Sequence, residues 1–211
     1  GLRMALLLTL ALTAVAVAAA EPSPDVSMIE VEGEATRYWT RWRGPSGQGD
    51  VEGEGYVDRW GEDHNILWKV EVPGSGNSSP IVWSDRIFLT SEAERGAKRS
   101  ILAFRRSDGE LLWQADSPGG PSERAHPKNG HASGTATTDG ERIYAFLGNH
   151  GLLAVDFDGR QVWHQDLGET SNYHGPSSSP LLYKDRIIVV QDQRSDSYVA
   201  AFDKTTGLEL W

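Results

Sequence analysis

The chain has 211 residues and carries 20 Lys and Arg against 30 Asp and Glu, a formal net charge of −10 at pH 7. This acidity disfavours a nucleic-acid partner, because a phosphate backbone is bound by a basic face. The sequence contains no Cys, which excludes disulfide bonds, thiolate metal sites, a Cys nucleophile and a lipid anchor on an N-terminal Cys.

Residues 1–20 have the pattern of a secretory signal peptide. Arg3 precedes an apolar run over Met4–Ala20 that ends in three alanines, and a positive start, an apolar stretch and a small-residue end are typical of such peptides. The alternative is a transmembrane anchor, for which this run is at the short limit. We therefore expect an exported protein, periplasmic or extracellular in a bacterium, with no membrane span after cleavage.

The rest of the chain divides into a leader and a β-rich region. Residues 21–37 combine two prolines and five acidic side chains with few large apolar groups, which predicts a flexible leader. From Tyr38 onward, aromatic and β-branched runs alternate with clusters of Gly, Asp, Asn and Ser, and no window shows a helical period. This pattern predicts an all-β fold.

An internal repeat runs through residues 38–211. Trp68, Trp113, Trp163 and Trp211 follow one another at spacings of 45, 50 and 48 residues. Each unit has a small-residue start, an acidic-Arg-Ile triplet that opens a second strand, an Ala-containing third strand, and a Gly turn before the Trp. Four short antiparallel strands per unit predict the blade of a β-propeller. The units are a closing strand at 60–72 and blades at 74–114, 131–166 and 175–211.

We expect the four repeated Trp side chains to be structural markers of the blades. They occupy one position on the outer strand of every unit, where a large side chain would pack between neighbouring blades. The alternative is a stacking platform for sugars or bases. The fixed register of these residues in the repeat favours packing.

The segment AFDKTTGLELW at Ala201–Trp211 closely resembles the repeat of the pyrroloquinoline quinone (PQQ)-type propeller family. Ala103–Trp113 and Ala154–Trp163 are variants of it, and YWTRWRGPSGQG at Tyr38–Gly49 resembles the start of exported bacterial members. The family is usually eight-bladed, which requires roughly 350–400 residues. The resemblance therefore implies that these residues are the N-terminal part of a longer propeller, about three blades plus one strand that closes the last blade.

The resemblance leaves the function open, because a fold does not determine an activity. The same repeat builds quinone-dependent alcohol dehydrogenases and non-catalytic scaffolds such as the outer-membrane assembly propeller BamB. We favour a binding or scaffold module without catalysis or cofactor, with envelope proteins or an extracellular polymer as partners. The first alternative is a periplasmic quinoprotein oxidoreductase acting on alcohols or sugars with PQQ and Ca²⁺. The lack of Cys weighs against it, because such enzymes often stack PQQ on a vicinal disulfide. A sensor or substrate-binding part of a larger chain is a further alternative.

The topology of a blade brings several polar residues to one end of the propeller, here called the top face. This face holds the start of each first strand and the turn between the second and third strands. Imidazoles gathered there could bind a transition metal or an anion, or they could collect there because loops are exposed. His64 and His164 are not expected on this face, and no catalytic residue is assigned. The predicted ligand contacts are His126, His131, Asn149, His150, Tyr173 and His174.

Overall fold

The computed structural model describes residues 31–211. The predicted signal peptide and residues 21–30 of the predicted leader lie outside this range. The remainder of the leader includes a short 3-10 helix at Gly33–Arg37. Within the described range, no helix has the length and apolar character needed to cross a membrane.

The described residues form three antiparallel sheets, each built from strands in chain order. The first two sheets have four strands each, which confirms the predicted β-propeller fold of four-stranded blades. Their strands are β1 (Ile81–Trp83), β2 (Arg86–Ala93), β3 (Lys98–Arg105) and β4 (Leu111–Asp116), then β5 (Thr137–Thr138), β6 (Arg142–Phe146), β7 (Leu152–Asp156) and β8 (Gln161–Gln165). The third sheet contains β9 (Leu181–Tyr183), β10 (Arg186–Gln191) and β11 (Tyr198–Asp203).

The third sheet also has the beginning of a fourth strand. Phe202 forms an isolated bridge with Glu209, and the Ala201 backbone exchanges hydrogen bonds with Leu210 and Trp211, each 2.8 Å long. By contrast, no strand forms at 66–72 in the described structure. The described strands do not pair with that segment, so its role as a closing strand stays a prediction.

The second blade is buried on both faces, which explains its nearly continuous apolar strands. Along β6, Ile143 and Ala145 pack against the first blade, whereas Tyr144 and Phe146 pack against the third. Successive side chains of a strand point to opposite faces, so each of these four side chains contacts either the first blade or the third blade. The hydrophobic core is therefore continuous between blades and is not enclosed within any single sheet.

Three of the repeated Trp side chains make the same contact: each Trp bonds to a backbone carbonyl in the turn before the outer strand of the next blade. The indole nitrogen of Trp113 donates to Phe157 O at 2.8 Å, and that of Trp163 donates to Lys204 O at 3.0 Å. Trp68 makes the equivalent bond to Arg106 O at 2.9 Å. Each ring lies against a turn glycine with positive φ, where a Cβ would approach the ring to 2.6–2.7 Å; these glycines are Gly109, Gly159 and Gly207.

The innermost strands lie side by side around the propeller axis, since β5 contacts both β1 and β9. Their small-residue starts are joined by a repeated hydrogen bond. Ser79 N donates to Thr135 Oγ1, and Thr135 N donates to Ser179 Oγ, both at 3.0 Å. In the second and third blades, a hydroxyl at the start of the innermost strand thus accepts a hydrogen bond from a backbone N–H of the preceding blade. These bonds fix the spacing of the innermost strands around the axis.

The segment that follows the leader covers the free inner edges of two blades. Trp39 O accepts a bond from Val82 N at 2.7 Å, and Thr40 O accepts one from Thr138 N at 3.0 Å. An uncovered strand edge exposes backbone groups that invite pairing with another chain. Residues 39–40 therefore satisfy edge groups that would otherwise face the axis.

Candidate binding face

The structure places all six predicted contact residues on the top face, where it separates them into two groups. Asn149 and His150 are buried and Tyr173 and His174 are exposed, whereas His131 and His126 are half-buried; we call the first two with His131 the buried layer, and the other three the exposed layer above it. The long connection 117–136 between the first two blades contributes to both layers. The topology of the repeat therefore predicts the location of these residues but not their accessibility.

A buried ion pair, which was not predicted from the sequence, stabilises the buried layer. Arg99, on β3, has a fully buried side chain, and that of Glu123, in the connection, is 5% exposed. One guanidinium nitrogen donates to Glu123 Oε1 at 2.8 Å and to Leu147 O at 2.5 Å, and the other contacts Oε2. The Arg99 Nε–H completes the set by donating to Gly96 O at 3.1 Å. The pair fastens the connection to both blades.

The net electrostatic effect keeps Glu123 ionised. Burial acts to raise the pKa of this carboxyl, but the hydrogen bonds and positive charge of Arg99 outweigh burial and hold the pKa below its usual value. A buried carboxylate without such a partner would instead become neutral. The ion pair therefore exists as a pair of full charges, and each partner depends on the other.

The imidazoles of the buried layer hold loops in place. His131 Nε2 donates to Glu123 O at 2.7 Å, and its Nδ1 lies 3.5 Å from a carboxylate oxygen of Glu92. His150 is 1% exposed, and its Nδ1 lies 2.6 Å from Ser117 Oγ. His164 was not expected on this face, yet its Nε2 donates to His150 O at 2.8 Å. The side chain reaches the top because β8 pairs with β7 directly below the turn.

The pKa of His150 predicts that acidification destabilises this layer. Burial and the nearby charge of Arg99 lower the pKa of His150 below its usual value of 6.5. Around and below pH 6.5 the unfolded chain then binds more protons than the folded chain. The contribution of His150 to the free energy of unfolding is therefore fully present above about pH 6.5 and is lost as the pH falls. We expect His150→Gln to have a flatter dependence of unfolding free energy on pH between 7.5 and 5, measured by urea denaturation. Parallel pH curves for the two proteins would contradict this expectation.

The exposed layer is a group of rings and cations contributed by two connections. The ring centroids of His126, Tyr173 and His174 lie 5.1–6.0 Å apart, and the guanidinium of Arg124 lies 4.9 Å from the Tyr173 centroid. The two connections are tied together below the rings by Asn129 Nδ2, which donates to His174 O at 2.7 Å. Tyr173 keeps 49% of its surface exposed, so the group is accessible from solvent.

A second feature of the top face is a cavity of about 360 Å³ beside the propeller axis. Its wall combines hydroxyl and amide side chains with the exposed ring of Trp42, and no lining residue is charged. Within residues 31–211, no group of three or more His, Asp or Glu side chains is arranged to hold a metal ion. The lining residues are Trp42, Asn77, Ser79, Ser133, Thr135, Ser177, Ser178, Ser179 and Val190.

Antiparallel four-stranded blades that share a core, with a Trp between neighbours, define this protein as a β-propeller built of PQQ-type repeats. A family model described as "Outer membrane protein assembly factor BamB" matches residues 52–127 and 97–211. The chain belongs to this family. The predicted resemblance is thereby confirmed.

Solved structures of related fold are similar at low identity. BamB from Moraxella catarrhalis is 17% identical, with a TM-score of 0.47 over 69% of this chain and 42% of its own. The quinohemoprotein alcohol dehydrogenase from Comamonas testosteroni is 18% identical, with a TM-score of 0.49 over 68% and 22%. A europium-containing methanol dehydrogenase is 16% identical, with a TM-score of 0.47 over 63% and 23%. The chain thus spans less than half the length of each. A comparison with curated proteins finds no match.

Proposed function

We propose that this propeller is a binding module of the bacterial cell envelope that presents its top face to a protein partner. The observation that carries the proposal is the buried Arg99–Glu123 pair beneath the exposed rings. It fixes the connection 117–136, which has almost no regular secondary structure, and thereby fixes the groups displayed above it. A pre-ordered loop loses less entropy on binding than a mobile one.

The proposed location rests on the N-terminal pattern and on the family. Residues 1–20 carry the features of a signal peptide, and the matching family is described by an outer-membrane assembly protein. An exported propeller of this family would encounter envelope proteins. The location therefore agrees with a protein as the partner.

The residues around the axial cavity do not fit PQQ and calcium. PQQ is a tricarboxylate and needs cationic partners, and Ca²⁺ takes oxygen ligands that normally include carboxylates. The cavity described here is lined by hydroxyl, amide and apolar groups without any charged side chain. The chemistry of this lining therefore favours the binding role over the quinoprotein alternative.

The proposal predicts that a partner can be cross-linked from the top face of the full chain in its host. A benzophenone amino acid in place of Tyr173 retains an aromatic ring there, and we expect it to give a discrete cross-linked species on irradiation. The matched control is the same amino acid in place of Asp158, whose side chain is 60% exposed in the β7–β8 turn at the opposite end.

Three results would contradict the proposal. Equal cross-linking from both ends, or none from Tyr173, would show that the top face has no partner. A PQQ- and Ca²⁺-dependent reduction of dye with an alcohol or sugar would show instead that the full chain is an oxidoreductase. The dye-reduction assay uses the full chain purified from the same host, so both functions are tested on the same protein.

A further inference from the structure

We infer that the partner's contact segment is acidic, and that it binds a cationic aromatic patch formed by Arg124, Lys128, His126, Tyr173 and His174. This inference rests on the proposed function, because it names the chemistry of the partner at the same face. The patch lies where the connections 117–136 and 166–180 meet. Its character is unexpected in a chain with a formal net charge of −10.

The charges of the patch are not neutralised by the described part of the chain. Neither Arg124 nor Lys128 has a carboxylate oxygen within salt-bridge distance among residues 31–211, and both side chains belong to exposed residues. The carboxylate next in sequence, Glu123, is buried and committed to Arg99. The chain therefore turns its acidic side chain inward and its basic side chain outward at two consecutive positions.

The geometry of the patch favours a carboxylate ligand. The guanidinium of Arg124 lies 4.9 Å from the centroid of Tyr173, an arrangement in which the ring contacts one face of the cation. The planar edge of a guanidinium can bind a carboxylate through two parallel hydrogen bonds. Arg124 is thus held over the Tyr173 ring but retains donors for an incoming anion.

A protein segment suits the patch better than a polymer of acidic sugars. Tyr and Arg are enriched among the residues that dominate protein–protein binding energy, especially where they lie close together on a rigid support. The support here is tied together, because the backbone N–H of His126 donates to His174 O at 3.3 Å and Ala125 packs closely against Gly175. An acidic segment that also carries aromatic residues would match both the charge and the rings.

The direct test is a binding titration of the full chain with a fluorescein-labelled peptide of repeated Glu-Ala-Glu-Tyr, followed by fluorescence anisotropy. We expect the peptide to bind, and added salt to weaken the binding. Arg124→Ala should weaken it about 10-fold, and Arg124→Glu more strongly, because a desolvated charge contact of this kind is worth about 1.4 kcal/mol or more. The matched control is Arg160→Ala, an exposed arginine at the opposite end, for which no change is expected.

Four outcomes would overturn the inference, and a fifth would bear on the proposed function alone. Equal binding of a peptide with Gln in place of Glu would remove the requirement for acid, and wild-type binding by Arg124→Glu would exclude the patch. Tighter binding of alginate through the same residues would assign the patch to a polysaccharide. Cross-linking from Tyr173 without peptide binding would leave the proposed function standing and refute the acidic partner. Peptide binding without cross-linking would refute the proposed function alone.

Discussion

Replacing Glu123 with Gln should lower the free energy of unfolding by about 3–5 kcal/mol, the range measured when one partner of a buried ion pair is removed. The side chain of Arg99 is fully buried, so the change leaves a positive charge without a counter-charge inside the protein. Urea denaturation followed by Trp fluorescence would measure the loss. Because the pKa of Glu123 is lowered, the contribution of this carboxylate to the free energy of unfolding also depends on pH. It is fully present above about pH 4.5, so the difference in stability between the two proteins should shrink below that pH.

The exposed pair of Asp158 and Arg160 offers a matched control. These side chains are 60% and 73% exposed, and Asp158→Asn should change stability by about 0.5 kcal/mol or less. The double variant Arg99→Met with Glu123→Leu should recover much of the loss, because it removes both charges from the interior. Equal stability of Glu123→Gln and Asp158→Asn would show that the buried pair does not hold the connection 117–136.

Trp163→Ala should destabilise the protein by about 3–5 kcal/mol, since it removes a large aromatic side chain from the contact between the second and third blades. Trp163 is 7% exposed, and its indole nitrogen donates to Lys204 O at 3.0 Å. Trp163→Phe keeps part of the ring contact and loses this bond, so we expect a smaller loss of roughly 1–2 kcal/mol. Circular dichroism in urea is the appropriate measurement, because both variants remove a fluorophore.

Two further variants distinguish a blade contact from a general effect of losing Trp. Trp60 is 69% exposed, and Trp60→Ala should cost about 0.5 kcal/mol or less. Gly207→Ala should be destabilising, because a Cβ there would lie 2.6 Å from the Trp163 ring and Gly207 has a φ of +75°. If Trp163→Ala and Trp60→Ala had the same effect, the repeated Trp would not be a wedge between blades.

The positions of the blades could be predicted because their signals are local and repeated. Arg86, Arg142 and Arg186, from the acidic-Arg-Ile triplets, are the first residues of β2, β6 and β10. The same signals placed six polar residues on one end, since strand direction alternates along each blade. Burial differs within that group, and this difference was not predicted. His150 and Asn149 are buried among loops, whereas Tyr173 and His174 face solvent.

The partners of the buried layer could not be predicted for a physical reason. Arg99 and Glu123 are 24 residues apart, and between them lies a connection whose path follows no helical or strand period. Nothing in a single sequence indicates which acidic residue of such a loop turns inward. His164 was missed in the same way, because the reach of its ring depends on the register of β8 against β7.

The sequence by itself determined the fold class and the four-stranded pattern of the blades, because these follow from alternating apolar residues and from a repeat of fixed spacing. Only the tertiary structure decided which polar residues are structural and which are accessible. That division depends on burial and on the pairing of charges across loops. Arg99 and Glu123 neutralise each other in the interior, whereas the neighbouring Arg124 is exposed at the surface.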